Sequence, residues 1–358
     1  MINCMETYVV SALRYRPQNF EEVLGQQHIT QTLENAIEKN QLAQALLFCG
    51  PRGVGKTSCA RILAKKINSQ GQENPEEDFA FNIFELDAAS NNSVDDIRSL
   101  NEQVRIPPQV GTHKIYIIDE VHMLSIGAFN AFLKTLEEPP KHVIFILATT
   151  EKQKIIPTIL SRCQIYDFKR INVTDCKVHL QKIAQDQDVK FEEEALDLIA
   201  RKADGAMRDA LSIYDRMISF TDRNLTVKSV SENLNILDHE TFFLITTLIL
   251  QNDIPGLLIA FDKLLKSGFD ELQFIIGLGS HFRDLMVSKE NNTLQLLEVS
   301  EATQEKYRKQ TLKAPISLLL NGIDLTSKCE LDYRNTKNKR LLIELCLMQM
   351  ASLLLEEK

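Results

Sequence analysis

At 358 residues, with 44% hydrophobic and 25% charged residues, the chain can hold two or three domains with cores of their own and has an ordinary globular composition. A formal net charge of −8 argues against a protein that coats nucleic acid by itself, while leaving room for a basic stripe on one face. The seven cysteines (Cys4, Cys49, Cys59, Cys163, Cys176, Cys329, Cys346) are scattered and form no C-x-x-C pair, which points to reduced cytosolic thiols rather than a disulfide framework or a zinc knuckle.

Residues 1–10 carry neither a basic segment nor a long apolar one, so no secretory signal is expected there. From residue 46 to about 168 the candidate strands 46–49, 83–87, 114–118, 143–148 and 165–168 alternate with helical stretches, the pattern of a parallel sheet covered by helices. Residues 58–66 read as a helix and 68–78, with Gly71 and Pro75, as a loop. Pro107-Pro108 and Pro139-Pro140 mark two helix ends, because proline cannot continue a helix and restrains the residue before it. Beyond about residue 172 the strand signals fade. Residues 191–220 are helical with a break at Asp204-Gly205, which predicts a small helical domain. From about residue 239 the chain reads as helix to its end, and Asp253 with Pro255 resembles a helix start. The longest apolar run, 242–250, is interrupted by two threonines and is too short to span a bilayer. Leu341, Leu345, Met348 and Leu355 share one stripe at helical spacing, either an association face or an ordinary internal core. The expected division is 1–170, 171–238 and 239–358, with no internal repeat and no low-complexity linker.

The residues with the most chemistry are Gly50-Pro51-Arg52-Gly53-Val54-Gly55-Lys56-Thr57, a complete G-x-x-x-x-G-K-[ST] loop between a candidate strand and a candidate helix. Its glycines take backbone dihedrals that side chains forbid, so successive N–H groups can turn inward around a triphosphate. Lys56 would reach the β- and γ-phosphates, and the Thr57 hydroxyl would bind Mg²⁺. A second apolar strand ends in Asp119-Glu120. At the C-terminal edge of a parallel sheet, Asp119 is suited to orient Mg²⁺ through its water shell and Glu120 to act as general base on the attacking water. Taken alone, such a strand end is equally read as surface polarity. A third strand ends in Thr149-Thr150-Glu151, where Thr149 either meets the γ-phosphate or the attacking water, or caps a turn.

Several strings together resemble one family: Arg16-Pro17-Gln18-Asn19-Phe20, Val23-Leu24-Gly25-Gln26, the Gly50–Thr57 loop, Leu86-Asp87-Ala88-Ala89-Ser90-Asn91, Asp119-Glu120-Val121-His122-Met123-Leu124 and Leu133-Lys134-Thr135-Leu136-Glu137-Glu138-Pro139-Pro140. They are similar to the gamma/tau family of bacterial DNA polymerase III, the ATPases of the sliding-clamp loader within the AAA+ superfamily. The resemblance covers about residues 8–237 and continues beyond only as a helical pattern of suitable length. It implies an α/β fold with a RecA-like phosphate-loop ATPase domain and a parallel sheet, then a small helical lid, then an all-helical oligomerisation collar. It places Arg16, Pro17 and Val23 around adenine, and Ser58 with the phosphate loop. It makes Ser161-Arg162-Cys163 the finger motif, with Arg162 reaching the ATP of a neighbouring subunit, and it sets Arg208 of Gly205-Ala206-Met207-Arg208-Asp209-Ala210 against the γ-phosphate of its own subunit. As bare sequence, both arginines read as solvated surface charges.

The implied ligands are ATP and Mg²⁺. The implied partners are the delta and delta-prime subunits, further copies of the chain, the sliding clamp and primer–template DNA, in the cytoplasm at the nucleoid and with no membrane. Arg98 and Arg105 are candidates for phosphate contacts with DNA, and equally a helix face of mixed solvated charge. The family's four-cysteine zinc module is missing from 68–78, so no zinc site is expected. Because the sequence stops at Lys358, the helicase- and polymerase-tethering functions of longer members are not expected of it. Two other readings remain: a catalytically silent scaffold subunit of the same assembly, and another AAA+ DNA motor such as a branch-migration helicase.

Overall fold

The computed structural model describes residues 9–69, 79–109, 111–234, 239–297, 299 and 301–353. Most of the expected loop (70–78), the expected boundary between the second and third parts (235–238) and Leu355 lie outside the described residues. The chain divides into two units, 1–230 and 231–358.

In the first unit a short helix α1 (Ser11–Arg14) and α2 (Gln27–Glu38) precede β1 (Ala45–Cys49) and α3 (Lys56–Ser69). There follow β2 (Ile83–Asp87), α4 (Val94–Val104), β3 (Lys114–Asp119), α5 (Ile126–Glu137), β4 (Val143–Thr149), α6 (Pro157–Leu160) and β5 (Gln164–Asp167). The strands pair in parallel in the order β2-β3-β4-β1-β5. Side chains alternate across the pleat, so one sheet feeds two cores. Leu46, Phe48, Ile115, Ile117, Ile144 and Ile146 meet the apolar faces of α2 and α3. Ala45, Leu47, Tyr116, Ile118, Phe145 and Leu147 meet α4 and α5. Because all five strands run the same way, the segments leaving Cys49, Asp87, Asp119, Thr149 and Asp167 emerge at one edge. β3 and β4 each run one residue further than expected, which makes Asp119 and Thr149 the last residues of their strands. α4 and α5 end at Val104 and Glu137, ahead of the two proline pairs.

The helical part that follows holds α7 (Val173–Asp186), β6 (Lys190–Phe191), α8 (Glu193–Lys202), α9 (Met207–Thr221), β7 (Asn224–Leu225) and α10 (Val227–Asn233). β6 and β7 form a two-stranded parallel ladder that the sequence did not announce, since two residues are too few to show an alternation. The N-terminal segment is fastened to this part. Ser11 N–H donates to Asp215 Oδ2 at 2.7 Å, and the Tyr15 hydroxyl donates to Asp186.

The second unit is helical among its described residues: α11 (His239–Leu250), α12 (Ile254–Lys266), α13 (Glu271–Val287), α14 (Glu301–Thr311), α15 (Ile316–Tyr333) and α16 (Lys339–Ser352), with one 3₁₀ segment at Asn291–Leu296. Asp253 caps α12 by accepting from Gly256 N–H at 2.9 Å, with Pro255 in the first turn. Phe242, Phe261, Phe274, Phe282, Leu318 and Leu347 are central to its core. Ile343, Cys346, Leu347, Met350 and Ala351 are the buried positions of α16, whereas Leu341 and Leu345 are about half exposed. Of the apolar stripe seen in the sequence, Leu341 and Leu345 therefore lie on the outer side of this helix, while Met348 is partly buried.

Candidate active site

The loop that leaves β1 closes under its own geometry. Gly50 has φ 146°, and a Cβ there would lie 2.4 Å from the Phe168 carbonyl oxygen, so the chain can pass β5 this closely only as glycine. Gly53 has φ 74° and lies against the start of α9: its carbonyl accepts from Arg208 N–H at 3.4 Å. Lys56 opens α3, and its Nζ donates to the Gly50 and Pro51 carbonyls at 2.7 Å each. Burial pulls this ammonium below the usual lysine range, while the nearby Glu120 and Asp119 carboxylates push the other way. A cation held by exchangeable carbonyls inside a glycine loop is arranged to receive an anion.

The Thr57 hydroxyl donates to Asp119 Oδ2 at 2.7 Å, and Asp119 Oδ1 accepts from Glu120 N–H at 2.9 Å. A hydroxyl and a carboxylate brought this close form the hard-oxygen donor set that Mg²⁺ takes. Glu120 stands in the left-handed region at φ 48°, uncommon for a non-glycine residue, where the chain turns from β3 into the 3₁₀ turn Val121–Met123. The Thr150 hydroxyl donates to Glu120 Oε2 at 3.0 Å.

Thr149, expected either at the γ-phosphate or attacking water or as a turn cap, is fully buried. Its Oγ1 accepts from Glu151 N–H at 3.0 Å and lies 3.1 Å from His122 Nδ1. The pleat turns it inward and leaves Thr150 as the hydroxyl beside Glu120. Burial pushes the Cys49 thiol up to about 11 and Cys59 to about 12, so neither thiol beside the loop is a ready nucleophile.

Of the residues expected near adenine, Arg16 donates through Nε to Ser58 Oγ at 3.2 Å, Pro17 is half-buried beside it, and Val23 is buried in the core below Gly55. Burial, then the like charge of Arg61, lowers the Arg16 guanidinium from its usual value. Val54 is also a core residue, and Arg52 is exposed at the loop surface. Arg208 is exposed, with its backbone joined to the phosphate loop.

Arg162 is not brought to this place. It precedes Gln164, which pairs with Leu46 at the beginning of β1, whereas the phosphate loop leaves the other end of that strand at Cys49. Its guanidinium donates to the Thr158 carbonyl at 2.7 Å and pairs with Glu137. Arg98 is exposed on α4 and pairs with Asp95 at 3.1 Å; Arg105 is exposed at the end of the same helix. In the sequence His122 carries no role of its own and Thr150 only that of a turn cap beside Thr149. What brings them to Glu120 is a single tight turn and the register of one strand end, neither of which leaves a periodic signal. No helix among the described residues is long and apolar enough to cross a membrane.

A glycine loop after a central strand, a carboxylate pair at the end of the strand beyond its neighbour, and a helical lid docked on the loop define a RecA-like phosphate-loop protein of the AAA+ type. Two family models match: one described as "DNA polymerase III, delta subunit" over residues 25–172, the other as "DNA polymerase III clamp loader subunit, ATPase lid domain" over 175–223. The chain is similar to DNA polymerase III subunit tau of Bacillus subtilis, at 40% identity over 94% of this chain and 62% of that one. It is 39% identical to subunit gamma of Buchnera aphidicola subsp. Baizongia pistaciae, over 71% of this chain and 72% of that one. Against subunit tau of Escherichia coli the identity is 42%, over 65% of this chain and 38% of that one. Among solved structures it resembles a Thermotoga maritima RuvB described as a Holliday junction branch migration motor. The TM-score there is 0.50 and the identity 23%, over 66% of this chain and 79% of that one, a likeness of fold alone. The chain belongs to the DNA polymerase III gamma/tau family. It spans only 62% and 38% of the Bacillus and Escherichia subunits.

Proposed function

We propose that this chain binds Mg-ATP at the Gly50–Thr57 loop, hydrolyses it with Glu120 as general base, and drives the loading of a sliding clamp onto primed DNA as the motor subunit of a DNA polymerase III clamp loader. The observation that carries this reading is the Thr57–Asp119 hydrogen bond, which joins the two nucleotide motifs into one site. On binding, Lys56 exchanges the Gly50 and Pro51 carbonyls for phosphate oxygens, and the loop N–H groups close around the triphosphate. Mg²⁺, held by Thr57 and through the water shell of Asp119, would neutralise charge on the β- and γ-phosphates. Glu120 takes the proton of the attacking water. Arg208 covers the phosphates from the lid, Arg16 and Pro17 flank the base, and Val23 supports the floor of the site. Thr149 acts from behind the strand end rather than by touching phosphate.

The chain then works in three parts: an ATPase domain over 1–170, a lid over 171–238 and a collar over 239–358 that joins it to further copies and to the delta and delta-prime subunits. ATP binding assembles a form able to open the clamp; clamp and primer–template DNA trigger hydrolysis, which releases them. A silent scaffold should lack one of Lys56, Glu120 or Arg162, and all three are present. The test is ATP hydrolysis by the purified chain, alone and mixed with the other subunits, clamp and primed DNA. Turnover should rise in the full mixture and fall by about 10²–10⁴ with Glu120→Gln while nucleotide still binds. A full mixture no faster than that variant would exclude the motor reading.

A further inference from the structure

His122 is a buried imidazole at the centre of the carboxylate edge. The turn Val121–Met123 folds it back beneath the end of β4, where its side chain keeps 7% of its exposure. Nδ1 lies 3.4 Å from Glu120 Oε2 and 3.1 Å from Thr149 Oγ1, and Nε2 lies 3.4 Å from Glu151 Oε1. Glu151 is fixed in turn by Lys154 at 2.8 Å and by its own N–H on Thr149. Each ring nitrogen therefore faces a carboxylate, and whichever carries a proton has an acceptor.

The tautomer of a histidine follows the partners of its two nitrogens. With the proton on Nδ1, the ring N–H faces Thr149 Oγ1 at 3.1 Å and, at an ion-pair distance of 3.4 Å, Glu120 Oε2, the oxygen that accepts from the Thr150 hydroxyl at 3.0 Å. The Thr150 hydroxyl and the ring N–H then both face Oε2, and Oε1 keeps no protein donor among the described residues. With the proton on Nε2, the ring N–H faces Glu151 at 3.4 Å, Nδ1 accepts from the Thr149 hydroxyl, and the donor toward Glu120 is lost. A histidine that only filled space would need no such double set of partners.

We propose that His122 is the positioning residue of Glu120: its Nδ1–H and the Thr150 hydroxyl hold one carboxylate oxygen so that the other faces the attacking water, and Thr149 with Glu151 set whether that hold is on. This rests on the ATPase reading above. Removing a partner that orients a reacting group costs about 10–100-fold where it has been measured around metal ligands, and a similar loss is expected here.

The test uses the full chain in the mixture that supports turnover. His122→Ala should lower kcat by that factor while KM and nucleotide affinity stay within about twofold. His122→Asn, whose amide nitrogen stands near the place of Nδ1, should recover most of the loss; His122→Gln, which reaches toward the place of Nε2, should not. Unchanged kcat in His122→Ala, or a parallel loss of nucleotide affinity, would overturn the proposal. Failure of the ATPase reading looks different: wild type and Glu120→Gln would then turn over alike. In that case ¹⁵N resonances of the ring decide. Glu120→Gln should shift Nδ1 and leave Nε2 nearly unmoved, and an unmoved Nδ1 would sink the assignment.

Discussion

Each unit buries a histidine, and the two show how much a buried polar group depends on its partners. His281 sits inside the helical unit between the Tyr307 hydroxyl at 3.0 Å and Gln310 Oε1 at 3.2 Å, and burial pushes it down to about 3. It is neutral, satisfied and fixed by groups that do not ionise near neutrality. His122 meets two carboxylates and a hydroxyl beside an open edge. The surfaces differ as well. In the C-terminal unit two i,i+4 pairs of exposed apolar residues stand out, Ile316 with Leu320 on α15 and Leu341 with Leu345 on α16, beside singly exposed residues such as Leu244 and Leu331. Exposed pairs on adjoining turns mark a face awaiting a partner more clearly than scattered single residues do. Polar groups gathered at an edge thus bear on the chemistry proposed for one unit, and the exposed apolar pairs bear on the association proposed for the other.

The sharpest way to break that division is to ask whether the chemistry of the first unit is complete in one copy. Arg162 precedes Gln164, which pairs with Leu46 near the end of β1 opposite the phosphate loop, and this placement supports the proposed role in trans. An arginine finger is worth about 10³–10⁵ in turnover in well-studied phosphoryl transfer. Arg162→Ala should leave nucleotide affinity nearly intact and abolish stimulated hydrolysis. Mixing Arg162→Ala with Lys56→Ala chains should restore activity at interfaces that pair an intact loop with an intact finger. No recovery in the mixture would mean that Arg162 serves its own subunit.

Next in size come the cores. Phe282 is fully buried in the helical unit, and Phe282→Ala should cost about 3–5 kcal/mol of unfolding free energy, read from denaturant titration. Leu341 and Leu345 on the same unit should behave in the opposite way. Leu341→Glu with Leu345→Glu should change stability by only about 0.5 kcal/mol per site yet weaken self-association, measured by sedimentation. Unchanged association would remove this face from the assembly.

Legibility followed the same line. The Gly50–Thr57 loop and Asp119 were readable because their meaning is local: a loop between strand and helix, and an acid at a strand end. Of the two readings of Thr149, the turn cap is the one its hydrogen bond from Glu151 N–H fits, because the side a strand-end residue faces reverses with every step of register and leaves Thr150 beside Glu120. The stripe at Leu341 was visible as spacing, but spacing does not say which side of a helix is inside. The attachment of Ser11 to Asp215 and of Tyr15 to Asp186 joins residues far apart in the chain and left no trace in the sequence.

The smallest expected effect lies at the start of α4, on the edge shared with the site. Ser93 Oγ accepts from Asp96 N–H at 3.2 Å, and Asp96 Oδ2 accepts from Ser93 N–H at 3.0 Å, a reciprocal cap that satisfies two backbone donors. Ser93→Ala should cost about 1 kcal/mol. The Ser93 hydroxyl and then its backbone N–H hold the Asp96 carboxyl below its usual value. A carboxyl whose folded value is depressed binds protons more readily in the unfolded chain, so its contribution is present above the unfolded value, near 4, and fades as pH falls through the folded one. Asp96→Asn should therefore lower stability at neutral pH and flatten the acid limb of the stability profile. An acid limb of unchanged slope would mean that the cap forms no better in the charged state than in the neutral one, and that α4 is held at the sheet edge by Ile97, Leu100 and Val104 alone.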